Sequence, residues 1–136
     1  MTTVLPDSSA WVELLQGTGS PVHLALRQLV RSESEILVTE PVVMEVLAGA
    51  RTERQATKLR TAILVYPLAK VFGLDDYESA AAIRRACRAG GETVRSTLDC
   101  LIAAVAIREG ASVLHLDRDF DAIARHTELE VCALGS

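Results

Sequence analysis

The chain has 136 residues, of which 49% are hydrophobic and 24% charged, and its formal net charge is −4. These are the values of one ordinary globular domain that is long enough to bury a core. The sequence has no apolar run of about 18 residues that would span a membrane, and no basic segment followed by an apolar one that would direct secretion. We therefore expect a cytoplasmic protein that makes no membrane contact.

Positive charge is concentrated in two stretches of the chain. These stretches contain Arg51, Arg54, Lys58 and Arg60, and then Arg84, Arg85, Arg88 and Arg95. A negative net charge is a poor overall match to a nucleic acid, but either stretch could form a local surface for phosphate groups.

Three cysteines, Cys87, Cys100 and Cys132, form an odd set without Cys-x-x-Cys spacing. Cys100 falls on a helix face that we expect to be buried, which favours free thiols in a reducing compartment. The cysteines and the three histidines of the chain lack the ligand spacing of a zinc site, so we exclude zinc.

Hydrophobic periodicity and capping residues predict strands that alternate with helices along the whole chain. Apolar runs predict strands at 4–5, 36–38, 65–68, 112–116 and 129–134. Helical spacing predicts helices at about 8–17, 20–30, 40–50, 53–64, 75–89, 96–110 and, after an acidic turn at 117–119, to about residue 125. This alternation predicts one α/β domain, residues 1–136, with a central, mainly parallel, twisted sheet of four to five strands and helices on both faces.

The helix predicted at 96–110 is apolar nearly all round and should therefore be buried. Ser96 or Thr97 can begin it, and Gly110 can end it. Asp99 is the one carboxylate within its apolar segment. Because an ionised carboxylate is costly to bury alone, Asp99 must be protonated, paired or bound to a metal. A first-turn position beside the helix dipole, completed by Arg95 or solvent, is the simpler alternative.

Other acids fall at matching ends of predicted elements. Asp7 and the turn Asp117-Arg118-Asp119 follow strands, Glu45 lies in the second turn of a helix that follows a strand, and Asp99 begins a helix. Since the carboxyl ends of parallel strands meet at one edge of a sheet, we expect these acids to converge. Each acid taken alone could instead be a helix N-cap or an exposed helical residue.

Carboxylates that converge in this way repel each other and need a cation if all are to remain ionised. Oxygen-only ligands are those that Mg²⁺ and Mn²⁺ prefer, and such ions activate water and stabilise charge on phosphate. The acids therefore predict a magnesium or manganese site that acts on a phosphodiester.

Four motifs, in order along the whole chain, resemble those of the PIN-domain family. They are Val4-Leu5-Pro6-Asp7-Ser8-Ser9-Ala10-Trp11, Glu40-Pro41-Val42-Val43-Met44-Glu45-Val46-Leu47, Leu98-Asp99-Cys100-Leu101-Ile102-Ala103-Ala104 and Leu116-Asp117-Arg118-Asp119-Phe120. As a set these motifs are specific, whereas each alone is weak. The short, single-domain length is most similar to the VapC toxins of bacterial type II toxin–antitoxin pairs.

The resemblance implies a PIN-like fold and a Mg²⁺-dependent endoribonuclease, with Mn²⁺ as a substitute, that hydrolyses structured RNA such as tRNA or rRNA. It further implies inhibition by a cognate VapB-like antitoxin and, together with the high apolar content, a homodimer. Carried over position by position, Asp7, Glu45 and Asp99 match the metal-binding acids, and Asp117 or Asp119 matches the fourth.

In the mechanism that follows from this match, water activated at the metal hydrolyses the phosphodiester bond. Asp7 and Asp99 would bind the metal directly, and Glu45 would hold it through water or act as a base. Asp117 and Asp119 would complete the pocket or hold a second ion.

Further residues would assist these acids. Ser8 matches a small hydroxyl residue that can hold a metal-bound water, Arg118 would position substrate or water, and the two basic stretches would hold the phosphate backbone. Phe120 is the nearest candidate for stacking on a base. Two departures from the family pattern are Pro6, which removes one ladder N–H beside the site, and Leu116, which stands where a polar residue is common.

Three alternative functions stay open at this point. The chain could be a non-catalytic RNA- or protein-binding module whose acids accept a partner's arginine, or a nuclease that acts on DNA. A receiver-type phosphoacceptor domain is also α/β with clustered acids, but it needs a lysine at a late strand end, and the last two predicted strands have none. For inhibition, we expect an antitoxin segment in an apolar groove lined by the helices of Trp11 and Met44, with an arginine near the acids.

Overall fold

The structure is a computed structural model that describes residues 2–134. Within that range the strands are β1 Thr3–Pro6, β2 Glu35–Ile36, β3 Val38–Thr39, β4 Leu68–Ala69 and β5 Ser112–Leu114. The helices are α1 Ser8–Gln16, α2 Pro21–Arg31, α3 Glu40–Ala48, α4 Glu53–Ile63, α5 Gly73–Ala89, α6 Thr97–Glu109 and α7 Arg118–His126. None of these helices is both long and apolar enough to cross a membrane.

The strands are all parallel and lie in two connected groups. One sheet has the order β2-β1-β5, and the other pairs β3 with β4. The two groups meet at Leu37, whose N–H donates to the carbonyl of Val4 at 2.9 Å, while the N–H of Val38 donates to Pro67 at 3.0 Å. The segment 35–39 therefore passes from β1 to β4, and the predicted parallel sheet is present in two short pieces.

The central strand β1 is covered on both faces. Its consecutive residues Val4, Leu5 and Pro6 are all buried, although their side chains alternate between the two faces. Two of the largest buried side chains are Trp11 in α1 and Phe120 in α7. Burial on both faces is what a parallel sheet between helices requires, as the sequence predicts.

Helix α6 is the most deeply buried helix of the described chain. Every residue from 99 to 106 is buried. Ser96 is its N-cap, and Gly110 ends it in the left-handed conformation at φ 66°, so both predicted ends are confirmed. Helix α5 packs along α6, and Arg108 joins the two by donating to Asp76 through Nε at 3.3 Å and Nη2 at 3.0 Å.

Four predicted boundaries are wrong. The strand expected at 65–68 begins only at Leu68, because Val65 lies in the turn after α4 and is 71% exposed. Helix α5 starts two residues before Asp75, and it is Asp76 that accepts the N–H of Phe72, at 2.7 Å.

The strand expected at 129–134 is reduced to a single parallel bridge between Val113 and Val131. Beyond this bridge, residues 133 and 134 are exposed and pair with no strand of the described chain. Strand β5 likewise ends at Leu114 rather than at residue 116.

Candidate metal centre

Two neighbouring strands end side by side and deliver the first acids of the site. Strand β1 ends at Pro6 and β5 at Leu114, and these two residues are paired in the parallel ladder. Asp7 follows β1 directly, and its N–H donates to the carbonyl of Leu114 at 3.0 Å. Asp117 follows β5 after a short turn and begins α7. The predicted convergence at the carboxyl edge of the sheet is therefore present.

Asp7 is both the N-cap of α1 and a buried carboxylate. Its Oδ1 accepts the N–H of Ala10 at 2.9 Å and the hydroxyl of Ser9 at 2.6 Å. Burial raises the pKa of Asp7, and these hydrogen bonds and the nearby His115 offset only part of that rise. Both cap bonds use Oδ1, so capping is compatible with a ligand at Oδ2.

Asp99 lies in the first turn of α6 and is 6% exposed. Its N–H donates to the capping hydroxyl of Ser96 at 3.2 Å. Its Oδ2 is buried without a hydrogen-bond partner among the described residues. Burial, the adjacent carboxyl of Asp117 and the charges of Glu45 and Asp7 raise the pKa of Asp99 to about 8. A buried acceptor surrounded by like charges is the position at which a cation would bind most strongly.

The expected alternative partner, Arg95, does not neutralise Asp99. Among residues 2–134 no ion pair joins the two side chains. The backbone N–H of Arg95 instead donates to Oδ2 of Asp119 at 3.1 Å, and that of Ser96 does so at 3.2 Å. Asp99 therefore lies in the first turn of α6, as the simpler alternative predicts, but no cationic side chain of the described residues pairs with its carboxylate.

Asp99, Asp117 and Asp119 form a close cluster, which we call the acid cluster. One carboxylate oxygen of each lies within 4.8 Å of the others. Asp117 is exposed and caps α7 by accepting the N–H of Asp119 at 2.9 Å. The cluster thus combines one buried, unpartnered carboxylate with two carboxylates whose backbone contacts hold them in place.

Glu45 approaches the acid cluster from α3 and is half-buried. Its Oε1 accepts the hydroxyl of Ser8 at 3.1 Å, which links α1 to α3 across the site. Its charge contributes to the raised pKa of both Asp7 and Asp99. The structure therefore places Glu45 beside the other acids, with Ser8 attached to it rather than to Asp7.

Arg118 is exposed on the first residue of α7, between two acids of the cluster. Among the described residues its side chain makes no hydrogen bond or ion pair, so its guanidinium is available to a ligand. Of the two basic stretches, the first lies on and just before α4, whereas the second lies on α5 and the loop that leads into α6. Arg95 of the second stretch adjoins the acid cluster through its backbone contact with Asp119.

Two residues near the site are not singled out by the sequence. Ser9 donates to Asp7 and accepts the N–H of Leu116 at 3.1 Å, so it joins α1 to the turn that carries Asp117. The only sequence signal for this is a hydroxyl residue in the first turn after a capping acid. The side chain of His115 is 8% exposed, and its Nε2 lies 3.3 Å from Oδ1 of Asp121.

Phe120 cannot stack on a base as predicted, because it is fully buried. Its ring lies 5.2 Å from that of His115. The amphipathic pattern of α7 turns Phe120 towards the core, where it contributes to packing rather than to an RNA contact.

The donor set of this site is one of carboxylate oxygens, which suits Mg²⁺ or Mn²⁺ better than zinc or copper. Asp99 Oδ2 supplies an unsatisfied buried acceptor, and the acid cluster supplies two further oxygens at ligand spacing. The residues present therefore fit a hard divalent cation.

Comparison with known proteins gives one consistent result. The PIN-domain family profile matches residues 4–126. A VapC ribonuclease of Mycobacterium bovis and ribonuclease VapC11 of Mycobacterium tuberculosis are each 45% identical over 131 residues, which cover 96% of this chain and 98% of the relative.

Solved structures share the same fold. VapBC2 of Rickettsia felis, solved with a DNA fragment from its promoter, has a TM-score of 0.74 at 16% identity and covers 96% of this chain and 97% of its own. VapC20 of Mycobacterium tuberculosis, described as a sarcin–ricin-loop-cleaving toxin, has a TM-score of 0.67 at 22% identity, with 93% and 98% covered.

Proposed function

This chain belongs to the PIN-domain family, and from that premise we propose that it is the toxin of a type II toxin–antitoxin pair, an endoribonuclease that requires Mg²⁺ or Mn²⁺. The family profile and the 45% identity to VapC ribonucleases over nearly the whole of both chains support the nuclease activity. The unpartnered Oδ2 of Asp99 in the acid cluster is the single observation that carries the metal requirement. We take residues 1–136 as one nuclease domain.

We assign a role to each acid from its burial and its contacts. Asp99 and Asp7 would hold the metal directly, because both are buried, Asp99 Oδ2 has no hydrogen-bond partner among the described residues, and the capping bonds of Asp7 use Oδ1 only. Glu45, which accepts the Ser8 hydroxyl, would orient water or accept its proton. Asp117 and Asp119 would complete the ligand set. The metal, when bound, supplies a Lewis acid that activates water and stabilises negative charge on the phosphate.

Before metal binds, Asp99 holds a proton near neutral pH, since its pKa is raised to about 8. Metal binding requires the carboxylate form and therefore releases this proton. The affinity for the metal should rise with pH up to about 8, where Asp99 is ionised even in the absence of metal.

The RNA substrate, which we propose to be tRNA or rRNA, is held by arginines near the acid cluster. Arg118 lies between two acids of the cluster and Arg95 contacts one of them, Asp119, through its backbone, so these arginines and the stretch on α5 would bind phosphate groups without reading sequence. Arginines placed locally in this way would let the protein bind a nucleic acid although its net charge is −4.

The antitoxin site we propose is a groove of about 210 Å³ between α1, α3 and α4. We call it the α1–α4 groove, and its lining residues are Val12, Leu15, Gln16, Val46, Gly49, Gln55 and Leu59. Its lining comes from the helices that carry Trp11 and Met44 and from α4. An apolar segment of a VapB-like antitoxin would lie there and place an arginine near Asp7, Glu45 and Asp99.

A second apolar surface fits a homodimer. Its exposed residues are Met44, Phe72, Leu74 and Tyr77 on and near α3 and α5. Met44 and Tyr77 line one cavity between α3 and α5, and exposed apolar residues grouped in this way are typical of a protein–protein interface. We propose that a second copy of the chain covers it.

RNA cleavage by the purified protein tests the function. We expect cleavage with Mg²⁺ or Mn²⁺, none in EDTA, and loss of cleavage in Asp99→Asn, while Asp75→Asn, which changes an exposed acid of α5, remains active. Undiminished cleavage in EDTA would contradict the metal requirement. If no nucleic acid is cut, the non-catalytic binding module is correct, and preferential cleavage of DNA would identify a DNA nuclease.

A further inference from the structure

The loop that joins α5 to α6 is attached to the first turn of α7, where the acid cluster lies. The N–H groups of Arg95 and Ser96 both donate to Oδ2 of Asp119. Ser96 also caps α6 through its hydroxyl and so contacts the N–H of Asp99. One acid of the cluster therefore depends on this loop for its position.

The same loop is attached to the last turn of α7. Glu92 accepts Nε of Arg125 at 3.0 Å and Nη2 at 2.5 Å, which is a bidentate contact. Oε2 of Glu92 also lies 2.6 Å from Nε2 of His126. We call Glu92, Arg125 and His126, together with Gly90, the α7 clamp.

Gly90 belongs to the clamp for a steric reason. Its φ of −83° is accessible to any residue, but a Cβ atom there would overlap Cε1 and Nδ1 of the His126 ring. The backbone of the loop thus lies directly against that ring. Between the two attachments the loop buries Val94 in the core.

We propose that Glu92, through Arg125 and His126, is a positioning residue for the acid cluster: it sets the place of α7 and hence of Asp117 and Asp119 relative to Asp99. This inference rests on the proposed metal-dependent function. Helix α7 has nine residues and is about 13.5 Å long at 1.5 Å per residue, so it moves as one body. A shift at its last turn therefore moves the acids at its first turn.

The contacts of the α7 clamp are suited to positioning α7 rather than to adding to the free energy of unfolding. Arg125 is exposed, and exposed ion pairs contribute little to the free energy of unfolding. The bidentate geometry, however, fixes direction as well as distance. Three carboxylates that repel one another need such fixed supports to keep their oxygens at ligand spacing.

The test measures metal binding directly, by the loss of the free Mn²⁺ signal in electron paramagnetic resonance during titration of the full-length protein. Loss of a residue that supports a metal ligand typically weakens metal binding by about 10–100-fold. We expect Glu92→Ala to weaken Mn²⁺ binding by an amount near the lower end of that range. Glu92→Gln keeps an oxygen for Arg125 and an amide for His126, so it should bind Mn²⁺ almost as the wild type does. Glu128→Ala, which removes an exposed acid just after α7, is the matched control.

Arg125→Ala provides a second route to the same result if Glu92→Ala folds poorly, and it should weaken Mn²⁺ binding similarly. Equal Mn²⁺ affinity in the wild type, Glu92→Ala and Arg125→Ala would overturn the inference and leave the proposed function intact. A melting temperature that falls in Glu92→Ala without any change in Mn²⁺ affinity would also overturn it. Failure of the wild type to bind Mn²⁺ would overturn both.

Discussion

The hydroxyl of Ser9 donates to Oδ1 of Asp7 at 2.6 Å, and the same hydroxyl accepts the N–H of Leu116 at 3.1 Å. One side chain thus joins the acid after β1 to the turn after β5. The acids of the site come from separate elements, so their spacing depends on bonds of this kind.

We predict that Ser9→Ala loses more activity than Ser8→Ala. Removal of the Ser9 hydroxyl leaves both the buried Asp7 carboxylate and the Leu116 N–H short of a partner, at a cost of about 1–3 kcal/mol in the free energy of unfolding. RNA cleavage should fall by about tenfold or more, because the loss of a residue that supports a metal ligand typically lowers activity by that factor. Cleavage assays and urea unfolding of the two variants measure both effects. Equal losses in the two variants would contradict this role for Ser9.

We predict that Asp99→Asn is at least as stable as the wild type in EDTA at neutral pH. A carboxyl whose pKa rises from 3.8 to about 8 on folding favours the fold only while protonated. That contribution is complete below pH 3.8 and is lost as pH rises through about 8. The melting temperature of the wild type should therefore fall more steeply with rising pH than that of the variant.

Mg²⁺ should make the wild type more stable than Asp99→Asn, because an ion that binds only the folded wild type raises its melting temperature. The Asp99→Asn variant should show little response. A loss of about 0.5–2 kcal/mol in the variant in EDTA would instead indicate that Asp99 is stabilised by the helix dipole or by a cation.

We predict that Leu15→Lys weakens inhibition by the antitoxin without reducing RNA cleavage. Leu15 lines the α1–α4 groove and is 38% exposed, so a lysine there places a charge against an apolar partner. Leu24→Lys on α2, at 44% exposure and outside the groove lining, is the matched control. Co-purification with the partner encoded beside this chain, followed by inhibition assays, measures the effect. Equal inhibition of both variants would place the antitoxin elsewhere.

We predict that one arginine of that antitoxin accounts for much of the inhibition. A guanidinium near Asp7, Glu45 and Asp99 would neutralise acids that otherwise need metal, and coupling between desolvated charges reaches about 1.5–7 kcal/mol. Single replacement of each antitoxin arginine by alanine, assayed across a Mg²⁺ titration, identifies it. If no replacement and no Mg²⁺ concentration alters inhibition, the antitoxin does not act through the acids.

We predict that Leu74→Lys converts a dimer into a monomer. Leu74 lies in the apolar surface on α5 and is 71% exposed, and Val65, at the same exposure, lies in the turn after α4. Val65→Lys should therefore leave the oligomeric state unchanged. Light scattering after size-exclusion chromatography measures the mass of each variant. A dimer that survives Leu74→Lys would exclude this surface.

Local patterns in the sequence determine the elements and their order. The Ser96 cap, the Gly110 end and the unbroken apolar faces of α6 depend on residues close together in the chain, so they can be predicted from it. The convergence of Asp7 and Asp117 follows as well, because parallel strands bring their carboxyl ends to one edge.

Only the tertiary structure decides which side chains contact one another at that edge. Ser8 and Ser9 are neighbouring serines, yet Ser8 contacts Glu45 and Ser9 contacts Asp7, since neighbouring helical residues point about 100° apart. Asp119 is held by backbone N–H groups 23 and 24 positions away, and Phe120 is buried by the packing of α7. Such contacts depend on how distant elements pack, which local periodicity does not encode.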